Sequence, residues 1–394
     1  MIEGIDKRII IVGGGPTGLY CAYLLKKLNP NIIITVIEEH KTCGSPMCCS
    51  GLIDVSGYNR LKLKNFLVLK DFLVNKIYGS HIYGPLEAKI DVLSKDVKAY
   101  VIDREKFDNS IKELALSFEV ELLSGKRVIS IENNFVTFKD LETNLEEQLR
   151  YDYLVGADGP NSLVRKTFFP EVKNSEFVHT YQVTVEGNFD NRNVSVYLGD
   201  FAKGLFAWIV PESSSIAKIG LGVSLGKNPK EAFLKFKEKY KLNYQRVIYE
   251  CSGILPISKP IKNLVNDNVL LVGDAACFVK STTGGGVNFG LLSSEMASKA
   301  INERIKEYKS LKNYNTLLKK YRQELNTHYK IRKYLLSKNF VEQDKLLLKI
   351  KDSNIHRILE EHGNMDYPNE FLSKIFTNKN SFVLIPEFFK FIIK

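Results

Sequence analysis

The chain opens with a run of β-branched residues, 9-IIIV-12, that passes directly into 13-GGGPTG-18 and then into 19-LYCAYLLKKL-28. A short continuous apolar run bounded by turn residues reads as a fully buried strand, and the stretch from about Gly15 to Leu28 has helical spacing. A second apolar run, 32–38, reads as another buried strand, so the N-terminus predicts a β-α-β unit with parallel strands. Between about 43 and 60 the pattern fits neither period and is rich in Gly, Cys and Ser. Short β-type runs occupy 75–102 and 127–154, with a helical stretch at 104–118 between them. A third buried strand, 151-YDYLVGADG-159, ends in a Gly-Asp turn.

From about 176 to 225 the pattern becomes strand-rich and alternating, as in 181-YQVTVEGNF-189 and 216-IAKIGLGVSL-225, which predicts an antiparallel sheet. Then 268-NVLLVGDAAC-277 is again a buried strand ending in a turn, 287–307 reads as a helix, and the Lys/Leu/Tyr-rich remainder from 308 is helical. The predicted class is α/β (α+β): a split Rossmann-type nucleotide-binding domain with an inserted antiparallel β-sheet and a C-terminal helical region. The expected boundaries are 1–170 for the first part, with 70–102 joining the insert, 171–255 for the insert, 256–307 for the second part and 308–394 for the helical region.

Composition narrows the class. An apolar fraction of 44% over 394 residues describes a globular chain with a sizeable core. No apolar run reaches the roughly 20 residues of a membrane-spanning helix, and the N-terminus enters its first strand with no export signal. Six Cys are too few for a disulfide framework, so a cytoplasmic protein is expected. The net charge of +11, from 56 basic and 45 acidic residues, suits an anionic partner such as a phosphorylated substrate or an anionic lipid surface. The basic residues form no stripe interleaved with aromatics, which argues against nucleic acid.

The glycines carry the chemistry. Gly13, Gly15 and Gly18 form G-x-G-x-x-G at a strand-to-helix junction, and the helix N-terminus behind them offers free N–H groups to a pyrophosphate. Glu38 ends the next strand, 20 residues past Gly18, where a carboxylate accepts ribose hydroxyl protons; Glu39 is its neighbouring alternative. A second strand delivers Asp274 to a turn followed by Gly284-Gly285-Gly286 at another helix start, with Val287 next. One nicotinamide nucleotide does not need this second element, whereas an extended FAD does.

The ensemble GGGPTG, 103-DREKFD-108, GADGPNSLVR and GDAACFV…TTGGG resembles the FAD-dependent flavoproteins of the para-hydroxybenzoate hydroxylase fold. Two further stretches narrow the resemblance to the geranylgeranyl reductases: 44-GSPMCCSGLI-53, similar to a G-x-P-x-x-C-x-G-L loop, and 204-GLFAWIVP-211, similar to a Y-x-W-x-F-P motif. The resemblance implies that Gly13, Gly15, Pro16, Thr17, Gly18, Glu38 and Glu39 serve the ADP half of FAD. It further implies that Arg104 lies beside the nucleotide, Asp158 supports the site, Asp274 contacts the ribityl or pyrophosphate part, and Gly284–Gly286 with Val287 approach the isoalloxazine ring. Cys49 and Gly51 belong to the loop on the active-site side, with Cys49 as proton donor or positioning residue. Phe206 and Val210 stand where the family motif has Tyr and a second aromatic, and Ser281 stands where proline is often found.

The implied activity is FAD-dependent saturation of C=C bonds in geranylgeranyl lipids, archaeal-type ether phospholipid precursors; the alternative is a flavin monooxygenase acting on a hydrophobic substrate. Phe206, Trp208, Ile209 and Val210 are expected to line the substrate slot. Ferredoxin, NAD(P)H and a quinol all stay open as electron donor. The spacing C-x4-C-C at Cys43, Cys48 and Cys49 matches no usual zinc pattern, so no metal is expected, and a Cys43 disulfide with Cys48 or Cys49 is an unsupported option. Cys21, Cys251 and Cys277 are expected to pack as small apolar residues. The basic-amphipathic stretch 316–336 and the end 386-PEFFKFIIK-394 are expected to pack on the core or to touch an anionic membrane, peripherally on its inner face.

Overall fold

A computed structural model describes residues 7–44, 47–171 and 176–377. The N-terminal strand Arg8–Val12 lies in the middle of a six-stranded sheet, parallel to Ile33–Glu38 on one side and Tyr153–Gly156 on the other. Glu121–Ser124 extends the sheet beyond Ile33–Glu38. Val269–Leu271 extends the opposite side, ending in a short antiparallel pairing with Val265–Asn266. The strand residues Ile9, Ile10 and Ile11 are fully buried, as expected where helices cover a parallel sheet. Helix Pro16–Leu28 packs against both Val287–Glu307 and Arg104–Leu116. The expected third strand is shorter than 151–159 because the chain leaves the sheet at Ala157 to make the Asp158 turn.

A seven-stranded sheet forms the second layer, in the order Arg246–Pro256, Phe177–Glu186, Ile216–Ser224, Gly204–Pro211, Asn193–Tyr197, Gly79–Tyr83, Lys89–Leu93. All its pairings are antiparallel except Asn193–Tyr197 with Gly79–Tyr83. Alternation along these strands builds two different faces. Tyr181, Val183, Val185, Ala207 and Ile219 bury themselves under helix Pro229–Lys239, where Phe233 and Phe236 complete a core. The opposite face, with Thr180, Gln182, Val194, Val196, Phe206, Trp208 and Val210, turns toward a cavity.

The C-terminal helices close that cavity. Lys319–Leu336 is followed by Phe340–Asp352, which starts in a capping box, Asn339 with Glu342. Buried Asp344 accepts from the Leu86, Glu87 and Ala88 N–H groups at 3.2, 2.8 and 2.9 Å. That clamp fastens helix Phe340–Asp352 to the turn between Gly79–Tyr83 and Lys89–Leu93. Ile355–His362 and Pro368–Thr377 follow, and 386–394 lies outside the described residues. No helix among the described residues is long and apolar enough to cross a membrane.

Candidate cofactor and substrate site

The three motif glycines are not equivalent. A Cβ on Gly13, whose φ is +106°, would lie 2.3 Å from the Ala157 carbonyl oxygen, and one on Gly18 would lie 2.1 Å from the Gly13 oxygen. Both positions are demanded by packing between the turn, the helix and the neighbouring strand. At Gly15 a Cβ would meet nothing within 4 Å. That open position caps helix Pro16–Leu28 without any side-chain hydrogen bond, so its leading N–H groups face free space. The cradle fits a pyrophosphate. Pro16 occupies the first helical turn, where its missing N–H costs nothing.

Thr17 has a different place. Its hydroxyl fills the space that Cβ atoms would need at Gly273 and Gly290, and the Ser294 hydroxyl donates to its carbonyl at 2.7 Å. It therefore locks the two glycine-turn helices together. Glu38 is 7% exposed; one carboxylate oxygen accepts from the Gly14 N–H at 2.7 Å, and the other accepts from the His40 N–H at 2.9 Å. Glu39 points outward to Arg127, 2.9 Å away. Of the two acids, Glu38 is the one seated against the glycine turn.

The Arg104 guanidinium makes a two-pronged contact with buried Asp108, both bonds at 3.0 Å, and reaches the Cys49 sulfur. Burial disfavours its charge, but Asp108 and Cys49 more than offset that and keep it protonated. Asp158 uses its carboxylate on its own turn: Ser162 donates to one oxygen at 2.5 Å, while Leu163 and Val164 N–H groups donate to the other at 2.7 and 3.1 Å. Its contribution is to shape the turn beside Gly13. Asp274 is half-buried, and burial pushes its carboxyl up to about 6 against the pull of Arg104 and Arg165. A Cβ on Gly286 would come within 2.9 Å of an Asp274 oxygen. Gly284 needs its φ of +72°, and Gly286 starts helix Val287–Glu307 with no side-chain cap, a second uncapped helix start.

From this turn an apolar cavity of about 650 Å³ runs between the seven-stranded sheet and the C-terminal helices. Phe206, Trp208 and Val210 form one wall, spaced two apart on a single strand. Ile209 falls on the other face and packs into the core under Pro229–Lys239. Its expected place in the slot is thus corrected by strand alternation. The Trp208 indole N–H donates to Gln182 Oε1 at 3.1 Å, and the Gln182 amide in turn donates to the Cys49 carbonyl at 3.4 Å. Gly220 gives the indole room, since a Cβ there would meet its six-membered ring at 2.5 Å. Leu335, Leu346, Leu347 and Ile350 of helices Lys319–Leu336 and Phe340–Asp352 also line the cavity.

The cysteines need correcting. Cys48 bridges to Cys251 on the edge strand Arg246–Pro256, with Cα atoms 5.6 Å apart. Cys251 is therefore not a packing residue, and Cys43 takes part in no disulfide. Cys43 is buried beside the Gly14 position, where burial and Glu38 raise its thiol. Cys49 keeps a free thiol on the cavity wall, accepting from the Gly51 N–H at 3.4 Å. Gly51 has a φ of +75°, and a Cβ there would strike the Ile102 oxygen at 2.3 Å, so the loop can turn there only with glycine.

A family model for pyridine nucleotide-disulphide oxidoreductases matches residues 7–197. The chain is 29% identical over 373 residues, 92% of each chain, to the uncharacterized protein MJ1520 of Methanocaldococcus jannaschii. It is 26% identical over 390 residues to digeranylgeranylglycerophospholipid reductase 2 of Methanosphaera stadtmanae, covering 92% of this chain and 93% of that one. A geranylgeranyl bacteriochlorophyll reductase-like protein from Thermoplasma acidophilum superposes with a TM-score of 0.80 at 22% identity, over 98% of this chain and 100% of the other. The chain is thus similar over most of its length to proteins named digeranylgeranylglycerophospholipid reductase and shares the fold of the reductase-like structure. The open cradle at Gly15 and the uncapped helix at Gly286 fit an extended dinucleotide such as FAD.

Several residues of this site escaped the sequence reading. Thr180 and Gln182 sit in the polar phase of an alternating strand, which normally means solvent; here that phase faces the cavity. Lys280, Asp366 and Asn288 meet only because the C-terminal region folds back onto the glycine turn. The reversed expectation of a Gln facing inward was visible in one sign alone, the Trp208 strand, which needs a polar partner for its indole.

Proposed function

We propose that this chain is an FAD-dependent reductase that saturates C=C bonds of geranylgeranyl chains in archaeal-type ether phospholipid precursors. The observation that carries the reading is the long apolar cavity that begins at Gly284–Gly286 and Cys49 and is walled by Phe206, Trp208 and Val210. A prenyl chain offers no polar handle, so such a slot must bind it by apolar contact alone. The names of the curated relatives support the same substrate class.

Gly13, Gly15, Pro16, Gly18 and Glu38 are assigned to the ADP half of FAD, with Thr17 and Asp158 holding that turn in shape. Asp274, Arg104 and Gly51 are assigned to its middle, and Gly284, Gly285, Gly286 and Val287 to the ring. When bound and reduced, FAD supplies a hydride to one alkene carbon. The chain must then deliver a proton to the other carbon and keep water out. Cys49 is assigned as the proton donor: its thiol lies on the cavity wall, it is reprotonated from solvent after transfer, and Arg104 places a positive charge beside the sulfur. Trp208, tied through Gln182 to the Cys49 carbonyl, orients the chain against that thiol. No second G-x-G-x-x-G unit occurs in the sequence, so electrons are taken from a ferredoxin, a quinol or transiently bound NAD(P)H.

The segment 330–352, from the end of helix Lys319–Leu336 through helix Phe340–Asp352, is assigned to peripheral membrane contact. Leu336, Phe340, Val341 and Leu348 are exposed on it, and it carries seven Lys/Arg against three Asp/Glu. An apolar edge set among lysines suits an anionic bilayer surface, and the same helices wall the cavity.

The test is an anaerobic mixture of dithionite-reduced protein with geranylgeranyl phospholipid, following flavin absorbance and lipid mass together. Reoxidation without oxygen, with two hydrogens gained per flavin, is the expected result. Flavin that stays reduced until air is admitted, with substrate-dependent oxygen consumption, points to the monooxygenase instead.

A further inference from the structure

At the inner end of the cavity a buried ion pair stands where an apolar floor would suffice. Lys280 is 6% exposed, and its ammonium pairs with Asp366, which is fully buried. The second Asp366 oxygen accepts from the Asn288 amide at 2.7 Å, and that amide also donates to the Asp54 carbonyl at 3.1 Å. Taking both charges out of water is costly, and replacing such a pair by apolar side chains is often neutral or stabilising. Packing alone therefore does not account for it.

The orientation of the pair is informative. Lys280 anchors the glycine turn through its backbone: its N–H donates to the Gly285 carbonyl at 3.1 Å and its carbonyl accepts from the Gly284 N–H at 2.8 Å. Its side chain then folds under the same turn, so that a Cβ on Gly285 would lie 2.7 Å from Lys280 Cε and 3.0 Å from Nζ. The Asp366 carboxylate lies on the far side, against Gly57 and Asn288. The positive end of the pair thus points at Gly284–Gly286 and the negative end away from it.

Other charged groups stand around the turn, among them buried Asp54, whose carboxyl is pushed up to about 6 by burial and Asp366 against the pull of Lys280. Asp274 stands at Gly286 with Arg104 and Arg165 acting on it. Asp54 accepts from the Gly57 and Met365 N–H groups, behind Asn288. His328 bridges Thr282 and the Asp366 carbonyl, and burial together with Lys280 holds it neutral, with its pKa lowered to about 4.

We infer that Lys280 is a positioning charge for the cofactor, held behind the glycine turn to favour the reduced, negatively charged state of the bound flavin, with Asp366 setting how much of that charge is felt. This rests on the assignment of Gly284–Gly286 to the ring. A chain that must reduce an unactivated alkene has to hold its electrons until the lipid is seated, and a fixed buried cation stabilises the two-electron reduced form without water rearranging around it.

The experiment measures the midpoint potential of FAD bound to full-length protein, by spectroscopic titration against a reference dye, for the wild type, Lys280→Met and Asp366→Asn. Lys280→Met should lower the potential and Asp366→Asn should raise it. Each shift should correspond to at least a tenfold change in the oxidised-to-reduced equilibrium, about 30 mV for a two-electron couple. Opposite signs cannot come from a purely structural pair, whose two variants would disturb the turn alike. Shifts in the same direction, or none, overturn the inference. Should Lys280→Met not fold, Asp366→Asn and Lys280→Arg decide it: a raised potential with the first and a retained one with the second support the inference, and any other combination overturns it. FAD binding by the wild type, and its loss in Gly15→Val, tests the cofactor site separately, so failure of the two readings can be told apart.

Discussion

Gln182→Leu probes the link between the substrate wall and the cysteine loop. The side chain is 3% exposed and makes two contacts, accepting from Trp208 at 3.1 Å and donating to the Cys49 carbonyl at 3.4 Å. Leucine nearly matches its volume, so no large cavity forms. The 3.1 Å bond contributes about 1 kcal/mol net and the longer one less. Because Trp208 is only part-buried, its deprived N–H incurs the lower end of the penalty, and the total loss should be about 1–2 kcal/mol of stability. Trp208 is the only tryptophan, so the emission spectrum reports this one hydrogen bond and should shift to shorter wavelength. Cofactor content should stay at the wild-type level, because Gln182 touches none of the residues assigned to FAD except through the Cys49 carbonyl. Turnover of a geranylgeranyl lipid should fall about tenfold, the effect of some 1.4 kcal/mol of lost alignment. In a double-mutant cycle with Trp208→Phe the two changes should be coupled by about 1 kcal/mol. Wild-type emission, melting and turnover in Gln182→Leu would refute the positioning role of this chain of contacts.

The glycine turn makes a paired prediction. Gly15→Val should leave melting of the cofactor-free protein nearly unchanged while weakening FAD binding at least tenfold, whereas Gly13→Ala, at φ +106° and facing the Ala157 oxygen, should destabilise the fold itself by about 1–3 kcal/mol. Equal melting of the two variants would remove the distinction. Thiol titration of denatured, unreduced protein should find four thiols and, after reduction, six; six at the outset would exclude the Cys48–Cys251 bridge. Asp274, raised by burial to about 6 from an ordinary 3.8, favours the folded state only while it stays protonated. The stability it lends is complete below about pH 3.8 and is lost as pH rises through 6. Cofactor-free Asp274→Asn should accordingly melt higher than wild type at pH 7.5, by up to about 3 kcal/mol, and match it at pH 3.5. A gain of the same size at both values would assign the effect to something other than ionisation.

The parts of the molecule written in local chemistry were legible in the chain. Three glycines after four β-branched residues, with an acid at the end of the next strand, admit few structures other than a nucleotide-binding turn, because positive φ, close packing and open N–H groups are each properties of a few consecutive residues. The helix at 287–307 and the strands between 177 and 224 were legible for the same reason: period and turn residues are local. Alternation also indicates two faces, but it does not say which face meets water, and that is why Gln182 and Thr180 were passed over and Ile209 was placed in the slot.

Only the tertiary structure decided the pairings between distant segments. Cys48 and Cys251 are 203 residues apart, and nothing local in either one marks the other as its partner. Lys280 reads as one more lysine until Asp366, 86 positions later, is folded against it, and the Lys/Leu-rich tail reads as a solvated amphipathic helix until its Leu335, Leu346 and Ile350 close a cavity begun by a strand near residue 206. The motifs determined a glycine turn that fits a dinucleotide, because its positive φ, close packing and open N–H groups come from backbone geometry within a few residues. The shape and charge of the cavity beside Gly284–Gly286 were decided by the fold, because a buried wall is assembled from side chains that share no stretch of sequence.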